Sequence, residues 1–283
     1  MTPLRIATCT TLPEPDADEA PLAEALAAGG FAAALYAWDD PRVDWDAPVP
    51  TILRSTWNYA LDVPGFLAWI DRVAAAAPLW NPRDIVRGNV HKRYLRELAA
   101  RGVPVVPTVI AEAPLELSAV ARDLSASRLV IKPEVGAGSL GARVFDIASE
   151  PAAVAAAAHL TELTARGLAL VQPYVDSVEG YGERSLVWID GELSHAIRKT
   201  ARFAGDAERI NGPFAIADDE REVADAALAP FVERILYARV DLARDAAGRP
   251  MIMELELVEP SLFFARRPGA AARYVAGLRR RLG

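Results

Sequence analysis

Lysine is nearly missing from this chain. Three of its 31 basic residues are lysines, and the other 28 are arginines. Cysteine is rarer still. Cys9 stands alone, which excludes an internal disulfide and removes any pointer to an oxidising compartment. That cysteine and the 3 histidines show no zinc-like spacing, so a transition-metal site is not expected. No uninterrupted apolar run is long enough to span a bilayer, and no basic-plus-apolar leader follows Met1. Positive charge is not in excess either. A formal net charge of -7 argues against a general nucleic-acid or membrane-surface binder. The one basic cluster, Arg279-Arg280-Arg281, reads as a solvated helix end favoured by the helix dipole. A cytoplasmic protein with a small-molecule partner is the economical expectation, with no nucleic acid and no membrane involved.

What is present describes an ordinary folded chain. With 283 residues, 52% of them apolar, it can form two or three compact lobes, each burying its own core. Leu4 to Cys9, Phe31 to Trp38 and Thr51 to Arg54 read as strands. Helix signals fill Glu19 to Ala28 and Pro64 to Ala76. Strands alternating with helices predict a small, largely parallel α/β lobe over residues 1–84. Residues 85–283 form the rest, with a central lobe at about 107–175 and a C-terminal lobe at about 176–283. Asn89 is expected to cap a helix that carries Val90, Tyr94, Leu95 and Leu98. Further helices are expected over Pro151 to Arg166, Asp218 to Leu236 and Gly269 to Leu282. The apolar N-terminal lobe suits a homodimer interface.

Against this background the three lysines are informative. They are Lys92 near the start of a helix, Lys132 in Val130-Ile131-Lys132-Pro133, and Lys199 at the end of His195 to Lys199. A compact ammonium has been kept where a planar guanidinium is not a substitute, as when one narrow donor must reach an anion. Directly after Lys132 comes Gly136-Ala137-Gly138-Ser139-Leu140-Gly141. Its letters match the dinucleotide fingerprint, but that fingerprint requires a following helix. Here Arg143 to Ile147 alternates like a strand. The glycines therefore belong to a hairpin tip, either a lid whose amides lie over phosphates or a turn without a ligand.

Near the C-terminus, Tyr237 to Leu242 and Met251 to Val258 form a hairpin through Asp245 to Pro250. Closure around Ala247 and Gly248 sets Asp241 opposite Glu254 and Arg239 opposite Glu256. Met251, Met253, Leu255 and Leu257 point to the other face. Three carboxylates on one face repel one another. A hard divalent cation, Mg2+ foremost, removes the conflict through oxygen ligands. A solvent-facing polar side with Arg239 compensating one charge is the plainer alternative.

These pieces, in this order, resemble the ATP-grasp superfamily of carboxylate–amine ligases from about Asn81 to Pro260. The resemblance implies an α+β fold in which two lobes grip ATP behind a Rossmann-like N-terminal α/β lobe. It implies that Lys92 and Lys132 contact the nucleotide phosphates under the loop Gly136, Gly138, Ser139 and Gly141. Gln172 to Val175, with Tyr174, frame the adenine, and Glu183 holds the ribose with Glu179 as a rival. Asp241, Glu254 and Glu256 match the magnesium-binding acids, although some relatives carry Asn at the last position. Arg198 would sit near the transferring phosphate, with Lys199 acting there or on the substrate.

Arg54-Ser55-Thr56-Trp57-Asn58-Tyr59, His91-Lys92 and Glu254 to Leu262 look like the branch that includes the cycloserine-forming cyclo-ligase, itself related to bacterial glutathione synthetases. That branch implies amide formation through an acyl phosphate on a small amino-acid-like substrate, by ligation or by ring closure. Arg54 or Asn58 is expected to hold this substrate, with Trp57 or Tyr59 walling the pocket and Ser261 close to its carboxylate. A buried aromatic turn with Arg54 in a structural ion pair is the competing reading. A small-metabolite kinase and a non-catalytic nucleotide-binding protein are the other functions compatible with these motifs.

Overall fold

The computed structural model describes residues 1–136, 138, 140–200 and 209–283. Three sheets organise the chain. The first is parallel, ordered β2-β1-β3-β4, from β1 (Thr2–Thr8), β2 (Phe31–Ala37), β3 (Thr51–Leu53) and β4 (Leu79–Trp80), with α1 (Glu19–Ala28) and α2 (Val63–Ala76) in the crossovers. Helix α2 starts where Asp62 accepts the Gly65 N–H at 3.0 Å, and Pro64 fits its first turn. Its Phe66, Trp69, Ile70 and Val73 recur at helical spacing and are buried. They close on Trp38 and Trp45, the latter edge-on to Trp69 at 5.0 Å. This is the alternating α/β lobe expected from the sequence.

Two short helices follow, α3 (Arg83–Asn89) and α4 (Tyr94–Ala100). Asn89 therefore ends a helix instead of capping one, and Lys92 lies in the link between the two. The reason is tertiary. Asn89 spends its amide on strand backbone far along the chain, donating to Leu255 O at 2.9 Å and accepting from Leu257 N at 2.7 Å.

The central sheet, ordered β5-β8-β6-β7, is antiparallel and comprises β5 (Val109–Ala111), β6 (Arg128–Pro133), β7 (Arg143–Asp146) and β8 (Ala169–Pro173). Helices α5 (Leu117–Asp123) and α6 (Glu150–Thr164) cover one side through Ala121, Ala156 and Leu160 against Leu129, Ile131, Ala169 and Val171. Period-2 alternation then turns Val130, Lys132 and Gln172 to the other side.

After the one-turn helix α7 (Ser177–Gly180), the third sheet gathers β9 (Glu183–Ile189), β10 (Glu192–Lys199), β11 (Ile210–Phe214), β12 (Tyr237–Arg244) and β13 (Pro250–Glu256) in the order β11-β10-β9-β12-β13. Helix α8 (Asp218–Leu228) packs on one face through Val223, Ala224, Ala227 and Leu228. It stops well before Leu236. Pro230 has no N–H for the Ala226 carbonyl, which takes the Arg101 guanidinium at 3.0 Å instead. The opposite face is divided. Val187, Ile189, Ile197 and Tyr237 pack against the first lobe and α9 (Ala270–Leu282), and the remainder is open to a cleft.

The β12–β13 register agrees with the sequence expectation at its functional end, with Asp241 opposite Glu254 and Arg239 opposite Glu256. Beyond that point a bulge intervenes, and Leu242 pairs with Ile252. Ile252 and Leu255 enter the core, whereas Met251 and Met253 do not. The bulge turns Met253 toward the cleft, a correction to simple alternation.

Candidate active site

The central and C-terminal sheets face each other across a cavity of about 380 Å3 whose far end is closed by the first lobe. Lys132, Gln172, Tyr174 and Val175 line one wall, and Lys92, Glu183, Lys199, Asp241, Glu254 and Glu256 line the other. Gly136 and Gly138 overhang it. Gly141 closes the loop base with φ of 75°, and a Cβ there would stand 3.2 Å from Pro133. Ser139 lies outside the described residues.

Most of the charges are paired. Lys92 donates to Glu254 at 3.0 Å and to the Gly136 carbonyl at 2.7 Å, so it ties the loop base to the acidic strand. Its own position is fixed by Glu134, buried beneath it. That carboxylate binds His91 at 3.0 Å and Arg93 at 2.8 Å, the residues on either side of Lys92. Lys199 bonds Asp241 at 3.0 Å and also contacts Glu183. Arg239 donates to both oxygens of Asp241, at 2.8 Å each, and reaches Glu256.

Lys132 differs. It forms no ion pair with a carboxylate among the described residues, and burial in the cleft pulls its ammonium below lysine's ordinary pKa. An anion entering the cleft would meet an unshared positive charge. On the opposite wall, burial drives Glu256 up to about 8, Arg239 opposing it while Glu254 and Asp241 add to it. Burial likewise lifts Glu259 to about 7.

No group of three or more ligating side chains converges as a metal cage among the described residues. Mg2+ does not require one, since it is ordinarily held by one or two carboxylates together with phosphate and water oxygens. Asp241 and Glu254, directly opposed in register and facing the cavity, supply a hard, all-oxygen donor set that fits it.

Several expected site residues take other positions. Arg198 is not on the cavity wall. Neighbours on a strand face opposite ways, so with Lys199 inside, Arg198 lies on the α8 side, its guanidinium 5.3 Å from the Phe214 ring centre. Arg54 is also absent from the wall. It is 1% exposed, pairs with the equally buried Asp18 at 3.1 Å, and donates to Pro260 O at 3.0 Å. The competing structural reading of this arginine is the one observed. Asn58 joins the Trp38 indole at 2.6 Å to Asp39 at 2.7 Å and does not reach the cavity.

Tyr59, Trp57 and Ser261 do line it. So does Glu183, whereas the rival Glu179 is paired with Arg128 at 3.0 Å outside it. Sequence reasoning had given Arg239 only a compensating role and had missed Met253, Glu259 and Phe263 on the wall. Arg239 was detectable from the hairpin register. The bulge that exposes Met253 left no sequence mark.

Residues 4–81 match the model for the N-terminal domain of the D-cycloserine synthetase DcsG. The cycloserine biosynthesis protein DcsG of Streptomyces lavendulae is 37% identical over 94% of both chains. A crystal structure of D-cycloserine synthetase DcsG superposes with a TM-score of 0.89 at 36% identity, covering 99% of this chain and 100% of that one. The ATP-grasp ligase PsnB, solved with a precursor variant, Mg and ADP, shares the fold at a TM-score of 0.67 and 16% identity, over 100% of this chain and 99% of its own.

Proposed function

We infer the reaction from family membership: this chain belongs to the DcsG family of ATP-grasp enzymes and is an ATP-dependent ligase that forms amide bonds. We propose that its substrate is a small amino-acid derivative of the O-ureido-D-serine kind, closed onto itself as in cycloserine formation. The observation within the site that supports ATP use is Lys132, which faces a wall of acids across the cavity and pairs with no carboxylate of the described residues.

The γ-phosphate of ATP would pass to the substrate carboxylate, giving an acyl phosphate and ADP. A nitrogen nucleophile then attacks the acyl carbon, gives up its proton and expels phosphate. With O-ureido-D-serine the ring nitrogen must also lose its carbamoyl group to water, as carbamate, to leave cycloserine. Lys132 and Lys92 would hold the phosphate oxygens, and Arg239, on the cavity wall where Arg198 is not, would take the place of Arg198 near the transferring group. Gln172 to Val175, with Met253 across from them, would enclose the adenine, and Glu183 the ribose. Mg2+, held by Asp241 and Glu254 with Glu256 beside them, would supply neutralisation of phosphate charge. Trp57, Tyr59 and Ser261 would bound the substrate end. Gly136 to Gly141 would keep water from the acyl phosphate.

The test is phosphate release from ATP and Mg2+ with a panel of amino acids and O-ureido-D-serine. Release with one compound, abolished by chelation and reduced about 100- to 1000-fold in Lys132→Ala, is expected. ADP without free phosphate would replace the ligase reading with a kinase. Tight ATP binding without turnover on any compound would favour a binding protein.

A further inference from the structure

At the end of the cavity bounded by Trp57, Tyr59 and Ser261, one acid pairs with no cationic side chain of the described residues. Glu259 is 5% exposed, lines the wall and forms no ion pair with any lysine, arginine or histidine of the described residues. The nearby cations are already engaged, Lys92 with Glu254, Lys199 with Asp241, and Arg239 with Asp241 and Glu256. A buried carboxylate without a countercharge is costly, and it either takes up a proton or is stabilised by a bound cation. Glu14 also borders this end, but it is exposed and has a partner.

The backbone around Glu259 is held rigidly. Trp57 Nε1 donates to the Glu259 carbonyl at 3.2 Å, and Arg54 to the Pro260 carbonyl at 3.0 Å. Asp18 accepts the amides of Leu262, Phe263 and Phe264 at 2.5, 3.0 and 2.7 Å. Side chains of the first lobe thus fix the backbone that carries this carboxylate, which favours preorganised recognition. Arg239 stands beside the same segment, 3.4 Å from the Ser261 carbonyl. A guanidinium and a free carboxylate at one end of a cavity are complementary to a zwitterion, whose carboxylate belongs near Arg239 and whose ammonium belongs near Glu259.

We propose that Glu259 binds the α-ammonium group of the amino-acid substrate and so selects α-amino acids over their desamino counterparts. This assignment rests on the ligase reading above. It is tested by phosphate release with O-ureido-D-serine and with 3-(ureidooxy)propanoate, which carries hydrogen in place of the α-amino group. The wild type is expected to favour the amino compound. Glu259→Gln should raise its KM about 10- to 100-fold while leaving the KM for the desamino compound unchanged. An unchanged KM for ATP in the variant marks an intact fold. Equal effects on both compounds, or no effect on either, would overturn the assignment and leave the ligase reading standing. Absence of phosphate release by the wild type with both compounds would overturn this assignment together with the O-ureido-D-serine substrate class, while release with another amino acid of the panel would leave the ligase reading standing. This is seen before any variant is compared.

Discussion

Arg54 and Asp18 offer the sharpest separation of a structural role from a substrate-binding one. In Asp18→Ala the buried guanidinium loses its countercharge, and the amides of Leu262, Phe263 and Phe264 lose their acceptor. Breaking a buried pair from one side costs about 3–5 kcal/mol. The amide losses share that figure instead of adding to it, because all of them pass through one carboxylate. With an unfolding entropy of roughly 2.1 cal/mol/K per residue, 283 residues give about 0.6 kcal/mol per degree. The midpoint should therefore fall by about 5–8 °C.

Scanning calorimetry on Asp18→Ala, Arg54→Met and the paired Asp18→Leu/Arg54→Met variant measures this directly. Both single variants should lose stability, and the pair should recover part of it, since an apolar pair of similar volume removes the stranded charge. The reasoning is refuted if Arg54→Met keeps the wild-type midpoint while KM for the carboxylate substrate rises, because that pattern belongs to a residue that touches substrate.

Two further outcomes follow from the same geometry. Burial pushes the Glu220 carboxyl up, but bonds from Arg184 at 3.1 and 3.2 Å, from Tyr181 and from the Ala217 amide outweigh it, so its pKa lies below the ordinary value of 4.5. Stability from this site is present above 4.5 and lost as pH falls through the lower folded value. Glu220→Gln should cost about 1–3 kcal/mol at neutral pH and flatten the midpoint-versus-pH curve on the acid side. Parallel curves for the two proteins would refute this. The two arginines that compete for the phosphate should also separate, with Arg239→Met lowering kcat by about 100-fold or more and Arg198→Met changing it less than about twofold. Equal losses would contradict their placement on opposite faces of the sheet.

Much of the site could be derived from local rules. The period of a strand and the closure of a short turn set Asp241 against Glu254 and Arg239 against Glu256. The break between the glycine run and the alternating Arg143 to Ile147 marked a hairpin and not a helix. Other features failed for reasons that can be named. Asn89 has the chemistry of a helix cap, but two strand backbone groups more than 160 residues away claim its amide. The helix expected from Asp218 to Leu236 ends at Leu228 because Pro230 cannot donate an N–H to the turn before it.

By itself, then, the sequence determined the alternating first lobe, the acidic hairpin and the three lysine positions, because periodicity, turn chemistry and composition act over a few residues. Only the tertiary structure decided which charges are spent on one another and which stay available. Alternation requires Arg198 and Lys199 to face opposite ways, but the helix packed on one side of the sheet determines which of them meets the cavity. Arg54 is buried in an ion pair away from the cavity wall because Asp18, 36 positions earlier, is folded against it. Glu259 and Lys132 are open to a ligand because no oppositely charged side chain of the described residues pairs with either. Pairing depends on distances between segments remote in the chain, and those distances exist only once the three lobes have packed.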